Sequence, residues 1–141
     1  MLILDTNVVS DTMQLSPSLR VLHWWSQQLS VELFITTVTM AEILYGIELL
    51  PGGKRRDRLL AEAEAMFAQD FAGRILSFDE EAARAFAGIA AVRRSEGRPI
   101  SEFDAQIAAI ARSRRAILAT RNTTDFERCG IRLVNPWQPM A

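Results

Sequence analysis

The chain has 141 residues, of which 49% are hydrophobic, and its 16 Lys and Arg nearly balance 17 Asp and Glu, for a net charge of −1. The length predicts one domain over residues 1–141, and the charge argues against a protein held to nucleic acid by bulk charge alone. No apolar run approaches the ~20 residues of a membrane span, no signal peptide is recognisable, and the single Cys129 excludes an internal disulfide. We therefore expect a cytoplasmic protein without membrane contact.

Taken in chain order, short apolar runs typical of strands alternate with longer amphipathic stretches. The apolar runs cover residues 2–4, 33–36, 74–78, 116–119 and 131–134. Strands that alternate with helices predict a parallel sheet with helices packed on both faces. The expected fold is an α/β/α sandwich with a mostly parallel sheet of four to five strands.

Capping signals predict where the helices begin. After the first strand and a short helix, Ser16 followed by Pro17 predicts the start of a second helix, with Ser16 as its N-cap residue. Thr39 matches a capping box with the glutamate three residues later, and this pattern places a helix start at Thr39. Ser101 repeats the pattern before the last long helix. We interpret Asp79, ahead of an Ala-rich stretch, as a cap rather than a ligand.

Four acidic residues are expected at one edge of the sheet. Asp5 and Asp125 follow predicted strands, whereas Glu42 and Asp104 lie in the first turns of predicted helices. In open parallel sheets these positions share the edge at which ligands bind. Each acid also has a capping or loop interpretation, and for Asp5 capping alone is an equally good one. Asp104 reaches the edge only if one of the two helices before the fourth strand runs obliquely.

Carboxylates gathered in this way predict a site for a hard divalent cation. Without a cation they raise one another's pKa, whereas Mg²⁺ or Mn²⁺ takes carboxylate, water and phosphate oxygens as ligands. Such an ion activates water and neutralises charge on a phosphoryl group, so the set suits hydrolysis of a phosphodiester. No Gly-rich phosphate loop or Gly-x-Ser-x-Gly motif offers a competing chemistry. The side chains expected to support the ligands through hydrogen bonds are Thr6, Asn7, Thr120 and Asn122.

An ordered set of short motifs runs nearly the whole length of the chain. They are Leu4-Asp5-Thr6-Asn7, Thr39 through Glu42-Ile43 to Tyr45-Gly46, Leu50-Pro51 with Gly53, Phe78-Asp79, Gly97-Arg98 with Asp104-Ala105-Gln106-Ile107-Ala108-Ala109, Thr120-Arg121-Asn122-Thr123 with Asp125-Phe126, and Asn135-Pro136-Trp137. Through these motifs the chain resembles the PIN-domain ribonucleases, specifically the VapC-like (FitB-like) toxins of type II toxin–antitoxin pairs.

The resemblance implies a Mg²⁺- or Mn²⁺-dependent endoribonuclease. Its catalytic and metal-binding acids correspond to Asp5, Glu42, Asp104 and Asp125. It also implies a homodimer, a small DNA-binding antitoxin that blocks the site, and higher-order toxin–antitoxin complexes. Two alternatives stay open: a non-catalytic protein of this fold that docks a basic partner, and a DNA or structure-specific nuclease that uses the same acids.

Arginines offer a path for the phosphates of an RNA substrate. Solvated helix faces explain most of them equally well, and we assign an RNA contact only to Arg121, which lies beside Asp125 in the polar loop after the fourth strand. The full set is Arg55, Arg56, Arg58, Arg93, Arg94, Arg98 and Arg121.

Overall fold

The computed structural model describes residues 1–138. The strands of this part of the chain are β1 (Leu2–Leu4), β2 (Leu33–Thr36), β3 (Ile75–Leu76), β4 (Ile117–Ala119) and β5 (Arg132–Val134). They form one five-stranded sheet in the order β3-β2-β1-β4-β5, and every pairing between neighbours is parallel. The predicted parallel sheet is confirmed, and the first strand of the chain lies at its centre.

Helices cover both faces of this sheet. They are α1 (Thr6–Thr12), α2 (Leu19–Ser26), α3 (Thr37–Glu48), α4 (Lys54–Ala65), α5 (Glu80–Ser95) and α6 (Glu102–Ser113). A π-helical segment, Met66–Asp70, extends α4, and 3-10 turns occupy Ser30–Glu32 and Thr123–Phe126. Within residues 1–138, no helix is both long and apolar enough to span a membrane.

The strand β1 is buried on both faces because its side chains alternate between two cores. Ile3 packs with Ile89 of α5 and Ile107 of α6 in one core. Leu4 packs on the other side of the sheet with the cluster that includes Val9 of α1. The side chains of Ile3 and Leu4 are fully buried, as the continuous apolar run predicted. The two cores define the α/β/α sandwich.

Two predicted helix starts are wrong, one by two residues and the other by three. α2 begins after Ser18, whose hydroxyl accepts from the Val21 N–H at 3.4 Å, and not at Ser16. α3 begins at Thr37 because Thr36 caps it, accepting the Thr39 N–H at 3.1 Å. In both places two hydroxyl residues compete, and the one with extended backbone next to the helix becomes the cap. The capping-box interpretation of Thr39 is therefore incorrect.

The other capping predictions are confirmed. Asp79 accepts from the Ala82 N–H at 2.9 Å and caps α5. Ser101 accepts from the Asp104 N–H at 3.2 Å and caps α6. The third strand is shorter than predicted, since only Ile75–Leu76 pairs with β2.

Candidate active site

Asp5 lies where β1 ends, at the centre of the carboxyl edge of the sheet. Its backbone N–H donates to the Ala119 carbonyl of β4 at 2.9 Å. One carboxylate oxygen, Oδ1, accepts from the Thr6 N–H at 2.8 Å, and the other, Oδ2, accepts from the Thr120 hydroxyl at 2.7 Å and from the Asn7 amide at 3.3 Å. Asp5 thus caps α1 and is at the same time held in a buried position that faces the edge. The two interpretations of Asp5 are compatible.

Glu42 projects from α3 towards the same edge and is held by a chain of threonine hydroxyls. Thr6 donates its hydroxyl proton to Glu42 Oε1 at 2.8 Å, and the Thr6 and Thr39 hydroxyl oxygens lie 3.0 Å apart. Because Thr6 has one hydroxyl proton and gives it to Glu42, Thr39 must donate to Thr6. Thr36 in turn donates to Thr39 at 3.5 Å. The hydroxyl dipoles all point towards the Glu42 carboxylate, which does not act as a capping residue.

Asp104 reaches this edge because α5 ends beside the loop that follows β4. Arg93, in the last turn of α5, donates to the Asp125 carbonyl at 2.8 Å. The chain then reverses at Gly97, whose φ of 71° and the Arg98 N–H bond to the Arg93 carbonyl at 2.9 Å are typical of a Schellman ending. α6 therefore starts at the carboxyl edge of the sheet, as the sequence analysis required for Asp104 to reach it.

The carboxylates influence one another electrostatically. Burial raises the pKa of Asp5 to about 6, against the lowering effect of its bonds to Thr120 and Thr6, and the charges of Asp104 and Glu42 raise it further. Burial and the charge of Asp104 also raise the pKa of Glu42, while its bond from Thr6 opposes the shift. These interactions place Asp5, Glu42 and Asp104 in one acidic cluster.

Asp125 lies at the margin of the cluster, in the 3-10 turn after β4. Burial is the main cause that raises the pKa of Asp104, and the charge of Asp125 raises this pKa further. A hydrogen bond with Ser101 and the charge of Arg93 lower it. Asp125 therefore neighbours Asp104, and its charge is not among those that shift Asp5 or Glu42.

The donor set fits a hydrated hard cation. In the part of the chain that the structure describes, no three Asp, Glu, His or Cys side chains lie together closely enough to hold a metal ion by themselves. Mg²⁺ typically uses one or two carboxylates and completes its shell with waters and substrate phosphate. A raised pKa means that the ionised carboxylate is unfavourable in the folded protein, and a bound cation would stabilise this ionised form. The predicted ligand set of Asp5, Glu42, Asp104 and Asp125 stays a prediction.

Of the four supporting residues expected from the sequence, three bond the acids through their side chains. Thr6 contacts Asp5 and Glu42, while Asn7 and Thr120 contact Asp5. Asn122 acts instead through its backbone, donating its N–H to the Thr120 hydroxyl at 3.1 Å. Thr36 and Thr39 also belong to the network. The sequence pattern predicted only a capping role for Thr39. The signal for its other role is Thr36, a second hydroxyl residue before the helix that caps α3 and leaves the Thr39 side chain free for the network.

The arginines have different surroundings. Arg121 is exposed, and its guanidinium lies 5.1 Å from the centre of the Trp137 ring. Arg56 forms a surface salt bridge with Glu48, with 2.8 Å between its guanidinium nitrogen and the carboxylate oxygen. Arg93, one of the arginines considered for an RNA path, is buried, with 4% of its surface exposed, so its guanidinium is not at the surface.

A surface cleft of about 570 Å³ opens beside Glu42. The end of α1, α3 and the first half of α4 form its walls, with Ile43 and Ile47 on the apolar side and Arg55 and Arg58 as cationic residues. Because the cleft depends on how three helices pack against one another, no local sequence pattern predicts it. It extends the acidic edge into a partly apolar groove.

A parallel sheet in this order, with acids at its carboxyl edge and no phosphate loop, belongs to the class of α/β domains whose site lies at the carboxyl ends of the strands. Residues 2–131 match the PIN domain family, and the chain belongs to that family. It is 37% identical over 139 residues to VapC ribonuclease Y4jK of Sinorhizobium fredii, covering 99% of each chain.

Two further similarities concern FitB. The chain is 35% identical over 137 residues to toxin FitB of Neisseria gonorrhoeae, covering 97% of this chain and 99% of the relative. A solved structure of FitAB bound to an IR36 DNA fragment aligns with 34% identity and a TM-score of 0.94, covering 100% of this chain and 99% of the other.

Proposed function

We propose that this protein is the toxin of a type II toxin–antitoxin pair and acts as a metal-dependent endoribonuclease. The observation that carries the proposal is the convergence of Asp5, Glu42 and Asp104 at the carboxyl edge of the sheet, where burial is the main cause that raises the pKa of each. The similarity to proteins named VapC ribonuclease and toxin FitB supports it.

The residues of the chain have distinct tasks in this reaction. A bound Mg²⁺ or Mn²⁺ supplies positive charge at the phosphoryl group and lowers the pKa of water. Asp5 and Asp104, with Glu42, are the oxygen donors that would hold it, and Asp125 completes the predicted set. With a pKa of about 6, Asp5 is mainly ionised at neutral pH. Its bonds from Thr120 and the α1 N-terminus keep its orientation fixed before substrate arrives.

The substrate meets two further features of this edge. The N-terminus of α6, capped by Ser101, favours a phosphate group through its helix dipole. Arg121 presents an exposed cation beside the site, and we assign it to a backbone phosphate of RNA. The choice of RNA then depends on shape around the groove rather than on stacked bases.

The proposed partner is a small DNA-binding antitoxin, and the FitAB complex on DNA supports this assignment. The cleft beside Glu42 offers apolar surface next to an acidic site, which suits a peptide that brings apolar side chains and a cation. We further propose a single nuclease domain over residues 1–141, a homodimer, higher-order toxin–antitoxin complexes and a cytoplasmic location. Sedimentation of the purified chain tests the dimer.

The decisive experiment is cleavage of total cellular RNA by purified, antitoxin-free protein in Mn²⁺. Asp5→Asn and EDTA are expected to abolish cleavage, whereas Asp79→Asn, which alters an acid outside the cluster, is expected to retain it. Cleavage that survives Asp5→Asn would refute the assigned site. Absence of cleavage by folded, Mn²⁺-loaded protein would favour the non-catalytic alternative.

The toxin assignment has its own test. Expression of the chain without an antitoxin is expected to arrest bacterial growth, and Asp104→Asn is expected to relieve the arrest. An arrest of equal strength with Asp104→Asn would separate toxicity from the acidic cluster.

A further inference from the structure

Arg93 is a buried cation whose hydrogen bonds within residues 1–138 all go to backbone carbonyls, apart from one weak contact with a thiol. Its Nε donates to the Arg98 carbonyl at 2.7 Å, and its Nη1 donates to the carbonyls of Asp125 at 2.8 Å and Glu127 at 3.0 Å. Nη1 also lies 3.7 Å from the Cys129 sulfur. No carboxylate in residues 1–138 lies within ion-pair distance of its guanidinium.

A buried guanidinium without a paired carboxylate is poorly suited to stabilising a core, because it loses its hydration and gains no salt bridge. An apolar side chain would fill the same space without this cost. A planar fork of donors is, however, suited to holding several acceptors at fixed angles. The burial of Arg93 is therefore best explained by the backbone segments that its N–H groups bind.

The three carbonyls belong to two segments that carry acids of the candidate site. Arg98 lies in the reversal that leads from α5 into α6, and Asp104 stands in the first turn of α6. Asp125 and Glu127 lie in and just after the 3-10 turn behind β4. Arg93 is thus a bridge between the start of α6 and the loop after β4, which are joined along the chain only through the whole of α6 and β4.

The contacts of Arg93 involve the backbone of these two segments. The guanidinium itself points its donors at carbonyls and leaves the carboxylate oxygens of both acids free of direct bonds to it.

We propose that Arg93 is a positioning residue that holds the Asp104 and Asp125 segments in register so that both acids face the same cation. This inference rests on the proposed metal-dependent function. It assigns Arg93 no contact with substrate or metal.

The test uses the full chain with Arg93→Lys, Arg93→Gln and, as a matched control, Arg94→Gln at the adjacent exposed arginine. Calorimetry measures binding of Mn²⁺ alone, and hydrogen exchange followed by mass spectrometry measures opening of segments 97–104, 122–129 and 36–48. Both Arg93 variants are expected to weaken Mn²⁺ binding by about 10-fold. They are expected to speed exchange in the first two segments and leave 36–48 and the control unchanged.

Other results would overturn the proposal in distinguishable ways. Faster exchange in all three segments, or failure of both Arg93 variants to fold, would assign Arg93 to general stability. Localised opening with unchanged Mn²⁺ affinity would make it a loop clamp without effect on the site. Wild-type protein that binds no Mn²⁺ would overturn the proposed function, and with it this inference, whereas normal wild-type binding with unaltered variants would overturn only the role of Arg93.

Discussion

Asp5→Asn is expected to stabilise the metal-free protein at neutral pH while removing its affinity for a divalent cation. Asp5 is 5% exposed, and its pKa is raised from 3.8 to about 6. A shift of that size corresponds to about 3 kcal/mol of unfavourable free energy for the ionised form in the folded state. This is a large fraction of the about 5–15 kcal/mol by which domains are stable. The substitution removes that cost and also removes a proposed ligand of the cation.

The pH dependence isolates the electrostatic part of the effect. A carboxyl whose folded pKa is raised favours folding below its unfolded pKa, near 4, and loses this contribution as the pH rises through about 6. Wild-type stability is therefore expected to fall between pH 4 and pH 7 relative to Asp5→Asn. Altered hydrogen bonds to Thr120 or Asn7 in the variant shift the difference by an amount that does not depend on the titration of Asp5.

Urea unfolding in EDTA, followed by tryptophan fluorescence at pH 4.5 and pH 7.5, measures this difference. The advantage of Asp5→Asn is expected to grow by about 2 kcal/mol between the two pH values. Mn²⁺ at about 100 times its Kd should then raise wild-type stability by about 2.7 kcal/mol and leave the variant unchanged. A difference that does not depend on pH, or equal stabilisation of both proteins by Mn²⁺, would refute the reasoning.

Three further substitutions separate the site from the rest of the fold. Thr39→Val removes the donor to Thr6 and is expected to cost about 1 kcal/mol in urea unfolding and to slow RNA cleavage; cleavage at the wild-type rate would contradict a role for the hydroxyl chain. Asp79→Ala removes the cap of α5 and should cost about 1 kcal/mol without changing Mn²⁺ affinity by calorimetry; weaker binding would place Asp79 in the site. Ile107→Ala opens a cavity under the sheet and should cost about 2–5 kcal/mol in the same unfolding assay; a cost well below this would mean that α6 repacks.

Local sequence patterns predicted the strands and helices correctly for a physical reason. The apolar run Leu2–Leu4 predicts a strand that is buried on both faces of the sheet, and the polar Asp5 that follows predicts where this strand ends. Parallel strands then place such ends on one edge, whatever their order. The alternation of strands and helices predicted the sandwich in the same way.

Where two local solutions were nearly equal, the tertiary structure chose between them. Thr36 and Thr39 are both able to cap α3, and the pairing of β2 extends to Thr36, which leaves the Thr39 hydroxyl for Thr6. Arg93 and Arg94 are adjacent in sequence, yet only Arg93 turns inwards. Such choices depend on which face of a helix meets the sheet.

Sequence patterns alone thus establish the class of fold and the edge of the sheet at which Asp5 lies. Only the tertiary structure decided that β1 lies between β2 and β4, and hence that Thr120 bonds Asp5 across 115 residues of chain. It also decided that α5 ends beside the loop of Asp125. The physical reason is that apolar periodicity and capping are local, whereas strand order and helix direction follow from packing between segments far apart in the chain.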